Sequence, residues 1–446
     1  MEKLMRFVQK KLTPVANFLA SERHFSSMQN GIMASLSVIL VSAVFMVIAN
    51  PPVTADLINK GGFWSLFSGW YNFAQTYKTT ILIPFNMTMG LISLVTTFAI
   101  AYNLAKSYKM SGLNAGIVSM SLFLMVVAPS TYYTLEGGAK ISALSTTYLG
   151  AQGMFTSILV AMISVEITHF CIKHKVTIKL PDSVPPSLVE TFATIIPLLI
   201  NIIVFFGSNL LISTINPALS LPSAIEKLLA APVSAVNSVP GALLVSAFIL
   251  ILWCCGVHGM MVVMPITTPI TMAAFAENAS LFAAGQAPIF FPIFITQAIT
   301  LLGGTGNTLG FIILCFRAKS EQLKAFGKAT IVPGIFRISE PVLFGAPVVF
   351  NPILMIPFVF GGLIVGVLYW IGCTLGLITP FYIMVSGTFP IFVNSFIKCL
   401  DFRIVLFEII MIPLLMLIWY PFFKIYDNQL LEKEQKSKLE EQNIGV

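Results

Sequence analysis

Blocks of apolar residues recur along the chain at about 32–49, 81–105, 112–134, 149–172 and 192–215. Each is close to the twenty or so residues a helix needs to cross a bilayer. The polar links between them alternate in basic content: Lys106 and Lys109 follow the second block, and Lys173, Lys175 and Lys179 the fourth. The links after the first and third carry little net charge (Asp56, Lys60; Glu136, Lys140). Because Lys and Arg collect on the cytoplasmic side, this alternation predicts a cytoplasmic N-terminus. Ahead of the first block, residues 1–25 place Leu4, Phe7, Val8, Leu12 and Val15 at helical spacing, with Lys3, Arg6, Lys10 and Lys11 largely opposite. That pattern reads as a helix lying on an anionic leaflet, or as a solvated lead-in. The first block begins some thirty residues in, so it reads as a membrane helix and not as a cleaved signal.

The second half is less regular. Residues 217–238 are Pro-interrupted and mildly amphipathic; an apolar run at 241–264 is broken by Gly256-Val257-His258-Gly259. A long run at 293–316 leads into Arg317, Lys319, Lys324 and Lys328, a cytoplasmic loop. Charge balance then requires an even number of crossings, or a re-entrant hairpin, within 216–292. Residues 333–350 (PGIFRISEPVLFGAPVVF) are too short and too rich in Pro and Gly to span, and suit a re-entrant hairpin. Runs at about 352–378 and 404–423 follow, with 380–399 unassigned between them, and a charged tail expected to be mobile. The prediction is an all-α polytopic membrane protein of about ten transmembrane helices, with two re-entrant hairpins and interfacial amphipathic helices. It divides into a lead-in over 1–25, an N-terminal half over 26–239, a C-terminal unit over 240–424 and a tail over 425–446. Between Lys179 and the fifth block, Ser187 with Glu190 fits a capping box.

Composition closes off the soluble alternatives. Hydrophobic residues make up 57% of 446 positions and charged residues only 10%, against about 25% in ordinary soluble proteins; mean hydropathy is +0.90. The net charge of +7 is spread too thinly for a nucleic-acid footprint. The six cysteines lie in or beside apolar stretches without CxxC spacing, so they read as small buried hydrophobes and no metal site is expected.

Candidate chemistry gathers in the broken segments. Irregular backbone at membrane depth survives only where it lines a cavity or is buried in protein, so two such segments in one half point to a binding site. Glu340 stands in the middle of the 333–350 loop, before Pro341. A carboxylate at bilayer depth costs on the order of 3 kcal/mol, so such groups are usually functional. Arg337 is its nearest partner, for structure or for function. His258 is raised above an ordinary core histidine by the flanking Gly256 and Gly259. The run LLGGTGNTLG (301–310) allows two readings: close helix packing through Gly306 and Gly310, or a gap where Thr305 and Asn307 meet a polar solute. It is no nucleotide loop, since the Lys-Ser/Thr of a P-loop is missing. Asn351 and Asn86 are weaker polar candidates. Glu166 and Glu408 read as interfacial.

At these motifs the chain resembles the membrane-embedded enzyme IIC components of bacterial phosphoenolpyruvate-dependent sugar phosphotransferase systems, in their lactose/cellobiose/N,N'-diacetylchitobiose family. The resembling stretches are SERHFSSMQNGIMASL, IKLPDSVPPSLVETF, CGVHG, LLGGTGNTLG and GIFRISEPVLFGAPVVFNP, in family order over about 1–425. The resemblance implies a homodimer in the bacterial cytoplasmic membrane, both termini cytoplasmic, with dimer contacts in the N-terminal spans and one sugar in the C-terminal transport unit. It implies a β-linked disaccharide as substrate and cytoplasmic IIB and IIA proteins as partners, the phosphoryl donor being a phosphocysteine on IIB. No cofactor is implied. Glu340 matches the acid and His258 the histidine that approach the hydroxyl to be phosphorylated, and Asn307, Ser339, Arg337, Asn351 and Asn86 complete the expected sugar contacts. Many chitobiose-type relatives read Asn-Glu-Pro where this chain has Ser339-Glu340-Pro341, which shortens one contact. A rival reading from the residues alone, an ion-coupled secondary transporter, calls for several intramembrane acids; essentially one, Glu340, is found. A channel or scaffold needs no buried acid in a broken hairpin.

Overall fold

The structure is a computed structural model that describes residues 22–444, apart from 52, 54, 60, 137, 182–183, 346–347 and 386–388. The surface helix expected over 1–25 lies outside the described residues as far as residue 21. The described chain forms two units. The N-terminal unit takes residues up to 234 and then 265–287; the C-terminal unit takes 235–264 and the chain from 288 onward.

In the N-terminal unit the apolar blocks become helices α1 (Arg23–Ala34), α2 (Leu36–Ala49), α3 (Ser68–Thr88), α4 (Ile92–Ser107) and α5 (Gly112–Val127), then α6 (Met154–Lys173), α7 (Pro186–Ala193), α8 (Ile195–Ile215) and α9 (Leu221–Val236). Small residues let them approach closely. A Cβ on Gly31 of α1 would come within 2.6 Å of Ile100 in α4, and one on Gly116 of α5 within 2.6 Å of the Phe98 ring. Leu122, Phe123, Val126, Val160 and Phe205 form the core between α5, α6 and α8. Pro84 lacks the N–H that a helix interior uses, and the path bends into a 3₁₀ turn at Met89–Leu91 before α4. Glu22 caps α1, accepting from the backbone N–H of His24 (2.8 Å) and Phe25 (3.0 Å). The His24 ring then bridges Glu22 (2.7 Å) and Glu166 (2.9 Å), and Tyr108 donates to Glu166 (2.5 Å).

Two local expectations change. The third block stops as a helix at Val127, just before Pro129, and its end forms the antiparallel hairpin β1 (Thr131–Thr134) and β2 (Lys140–Ala143), with Thr131 opposite Ala143. Helix α7 begins at Pro186 with Pro185 as its cap, so Ser187 falls inside the first turn; the side chains of Ser187 and Glu190 are outside the described ones.

The C-terminal unit is built from shorter pieces. They are α10 (Val239–Cys254), the start of α11 (Gly259–Ala283), α12 (Ile295–Ala298), α13 (Leu309–Cys315), α14 (Glu321–Ile335), α15 (Glu340–Gly345), α16 (Pro352–Thr374), α17 (Val393–Cys399) and α18 (Phe402–Ile444). Among the described residues six helices are long and apolar enough to cross a membrane, or seven if α9 and α10 count as one bent span. The run at 293–316 is no continuous helix: between α12 and α13 the backbone turns through Gly303, Gly304, Gly306 and Asn307, all at positive φ. All six cysteines are buried and unbridged.

The tail is ordered by its charges. Asp427, buried on α18, accepts from the backbone N–H of Lys319 (2.8 Å) and Ser320 (2.9 Å). Glu434, two turns on, accepts from Ser320 Oγ (2.6 Å) and from the N–H of Glu321 (3.2 Å) and Gln322 (2.9 Å). Carboxylates thus fill the orphan donors at the start of α14, where the helix dipole favours them. The expectation of a mobile, dispensable tail is corrected accordingly. Deleting 427–446 removes both acids, and a lost cap costs about 0.5–2 kcal/mol. The truncated protein is expected to melt several degrees lower; an unchanged melting curve would return the tail to a solvated appendage.

Candidate functional site

Four broken turns of the C-terminal unit converge, and glycine makes the convergence possible. A Cβ on Gly304 would sit 2.6 Å from the Arg337 carbonyl and 2.9 Å from Ser339 Cβ, so the glycine-rich turn lies directly against the turn that precedes Glu340. One on Gly256 would touch Val349 (3.4 Å) and Phe350 (3.6 Å), and the Phe350 N–H donates to the Cys254 carbonyl (2.9 Å). The His258 turn is thereby fixed to the chain leaving Glu340. Asn307, Arg337 and Phe350 hold left-handed backbone without being glycine (φ 52, 62 and 58°). Such outliers persist only where the surroundings over-determine them, and they cluster at functional sites.

Glu340 opens α15, and His258 occupies the break before α11. His258 Nε2 stands 3.9 Å from Glu340 Oε1, and both side chains are partly open, 39% and 48% exposed. The other ring nitrogen, Nδ1, accepts from the Met261 N–H at 3.3 Å, which leaves the proton on Nε2, facing the carboxylate. Trp253 lies against the imidazole, ring centroids 4.2 Å apart. At 3.9 Å the two groups are too far apart to hydrogen-bond each other. They are well spaced for one hydroxyl oxygen held about 2.8 Å from each, accepting from Nε2–H and donating to the carboxylate.

The other expected contacts are distributed unevenly. Ser339 is buried directly before Glu340, and its carbonyl accepts from Val342 and Leu343 to start α15. Asn307 is fully buried, and its amide is used within its own turn: Oδ1 accepts from the Leu302 N–H (2.8 Å) and Nδ2 donates to the Ala298 carbonyl (3.1 Å). Gly306 packs under the Phe358 ring and Gly310 against the α18 backbone at Leu415, so close packing accounts for the glycine run. Asn351 caps α16, accepting from the Ile353 N–H at 3.0 Å. Arg337 Nε donates to the Phe389 carbonyl (3.3 Å), and the Ile391 N–H donates to the Ile335 carbonyl (2.8 Å), which ties the 336–339 turn to the segment at 389–391. Asn86 belongs to the N-terminal unit.

Two charged residues went unread in the sequence. Glu408 is not interfacial: it is fully buried on α18 and accepts from the Phe392 N–H (2.9 Å) and from Ser395 Oγ. Lys398, almost fully buried, donates to Gln297 Oε1 (3.2 Å) and lies over the Phe381 ring. A lysine inside an apolar stretch was the available signal, but it falls in 380–399, which the apolar pattern left unassigned. At the far end of that segment Asp401 accepts from the Thr379 N–H (3.1 Å) and pairs with Arg403 (2.9 Å). Burial works to raise its carboxyl, yet the Arg403 and Thr379 bonds hold it below the usual range.

The family profile described as "Phosphotransferase system, EIIC" matches residues 29–362. The lichenan permease IIC component of Bacillus subtilis (strain 168) is 30% identical, over 98% of this chain and 97% of its own. The lactose-specific EIICB component of Lacticaseibacillus casei is 30% identical, over 99% of this chain and 75% of its own. Among solved structures, the transporter ChbC, the IIC component of the N,N'-diacetylchitobiose-specific phosphotransferase system, superposes with a TM-score of 0.84 at 28% identity, covering 96% of this chain and 99% of that one. With a family profile spanning three quarters of its length and relatives aligned nearly end to end, the chain belongs to the EIIC family of the phosphotransferase system, as a multi-pass membrane sugar permease of its cellobiose/lactose/chitobiose branch.

Proposed function

We propose that the chain binds a β-linked disaccharide of the cellobiose/diacetylchitobiose class, carries it across the membrane and presents its C6 hydroxyl to a phosphocysteine on a separate IIB protein. The observation that carries this reading is the 3.9 Å spacing of His258 Nε2 and Glu340 Oε1. A hydroxyl held between them keeps its oxygen lone pairs aimed outward for attack. As the new O–P bond forms and the S–P bond breaks, the hydroxyl proton passes to Glu340 and the cysteine leaves as thiolate. His258 orients the hydroxyl through Nε2–H. Ser339 supports the carboxylate from directly before it. Arg337, Asn307 and Asn351 act through the turns they hold. The relatives support the substrate class, being named for lichenan, lactose and diacetylchitobiose.

On the same reading the segments around 336–351 and 380–399 are two re-entrant hairpins whose tips meet at the Ile391–Ile335 bond, within a fold of ten spans. The basic links put the termini and the 317–328 loop in the cytoplasm, within reach of IIB and IIA. The family resemblance supports a homodimer through the N-terminal spans.

The test is equilibrium binding of cellobiose, diacetylchitobiose, lactose and mannobiose to purified protein in detergent, without sodium or a proton gradient. One sugar binding at micromolar strength supports the reading, and binding only with an ion present would favour an ion-coupled carrier. His258→Ala is expected to weaken that binding roughly fivefold, since one hydrogen bond contributes about 1 kcal/mol net. Wild-type affinity and transfer kinetics would return His258 to the core.

A further inference from the structure

The N-terminal unit holds a cavity of about 1050 Å³ that the reading above does not use. Its walls are the end of α3, the strip 146–152, α9 and the later turns of α11. Ligand pockets run to roughly 300–1,000 Å³, so a disaccharide fits with water to spare.

The walls are fixed in place. The Ser93 N–H donates to the Leu149 carbonyl (2.9 Å) and Ser93 Oγ to the Gly150 carbonyl (2.5 Å). Gly150 lies so near the Gly90 carbonyl that a Cβ there would approach to 3.3 Å. Tyr148 donates to Glu226 Oε2 (3.3 Å), anchoring α9 to the same strip.

The lining has mixed chemistry. In a chain only 10% charged, Glu226, Lys227 and Glu277 share one cavity, joined by Asn86, Thr147 and Gln152. Phe85 and Phe155 supply apolar faces. Carboxylates, carboxamides and a hydroxyl offer donors and acceptors of both kinds, while two acids against one lysine disfavour an anion. No group of three or more potential metal ligands is found among the described residues. A neutral polyhydroxylated ring, with polar edges and an apolar face, suits such a lining. The cavity also shares an element with the candidate site: α11 begins beside His258 and carries Glu277 further along.

We propose that this cavity is a second saccharide subsite, holding the same disaccharide more weakly than the Glu340 site. The proposal rests on the permease reading. It also gives Asn86 a place as a sugar contact.

The experiment is cellobiose binding to the full-length protein in detergent, from micromolar to tens of millimolar, by calorimetry and saturation-transfer NMR. It compares wild type with Glu340→Gln, Glu277→Gln and Ala273→Trp, the last filling the cavity from α11. Wild type is expected to show two classes of site, the weaker by at least tenfold. Glu340→Gln should lose the tight class and keep the weak one. Glu277→Gln and Ala273→Trp should lose the weak class, keep the tight one, and raise the KM of uptake in vesicles at least threefold. A single class in wild type overturns the subsite. So does a weak class that survives both cavity variants, which would assign it to detergent or to the surface. Absence of all binding would instead overturn the permease reading, and the subsite with it.

Discussion

Glu340→Gln is expected to lower phosphorylation of the bound sugar by at least a hundredfold while leaving the protein folded. The substitution keeps the shape of the side chain and one acceptor oxygen but removes the base, and a positioned general base contributes roughly 10²–10⁴-fold. Folding should be spared because the carboxylate is 48% exposed and its nearest charged neighbour is His258 at 3.9 Å. The assay is transfer from phosphorylated IIB to labelled disaccharide, with a thermal melt of the same preparation. Full activity in the variant would remove Glu340 from the chemistry. Loss of activity with a collapsed melt would point to structure instead, and Glu340→Asp, which keeps the base but retracts it, separates the two.

The second large effect is on stability. Glu408→Ala is expected to destabilise the protein by about 3–5 kcal/mol, the range for removing one partner of a buried charge set. The alanine leaves the Phe392 N–H and the Ser395 hydroxyl without their acceptor. It also withdraws the negative charge that Arg337 and Lys398 feel inside the protein. Native proteins hold only about 5–15 kcal/mol in reserve, so the variant should express poorly and melt early. Glu408→Gln retains an acceptor oxygen and should be milder. A Glu408→Ala protein with a wild-type melt would show that the cluster is not needed for folding.

Much of this architecture was legible because the bilayer writes it locally. The apolar blocks at 32–49, 149–172 and 192–215 each lie within helices of the N-terminal unit, and Glu340 and His258 stood out as polar groups where the apolar pattern breaks. What was not legible depends on pairing between distant residues. Glu408 sits six residues into a long apolar helix and looks interfacial until the 392–395 backbone is folded against it. Asp427 and Glu434 look like ordinary tail acids until the start of α14, more than a hundred residues earlier, presents its free N–H groups. Asn307 read as a sugar contact because hydrogen-bonding capacity is visible in sequence, whereas its use by Leu302 and Ala298 is not. The third block was read as apolar through residue 134, although Pro129 allowed the helix to stop and the TYYT stretch to pair as a strand.

Helix α18 touches each of these regions in turn. Glu408 holds the 392–395 turn, Leu415 lies under Gly310, and Asp427 and Glu434 close the start of the helix that leads to Glu340. An axial slip of one residue, about 1.5 Å, would break all three sets of contacts at once. Partial opening of one turn is therefore penalised at the other two, and the amides at 319–322, 391–392 and 309–310 belong to one cooperative element. They exchange with solvent together, at a rate set by the whole helix and not by the depth of any one of them.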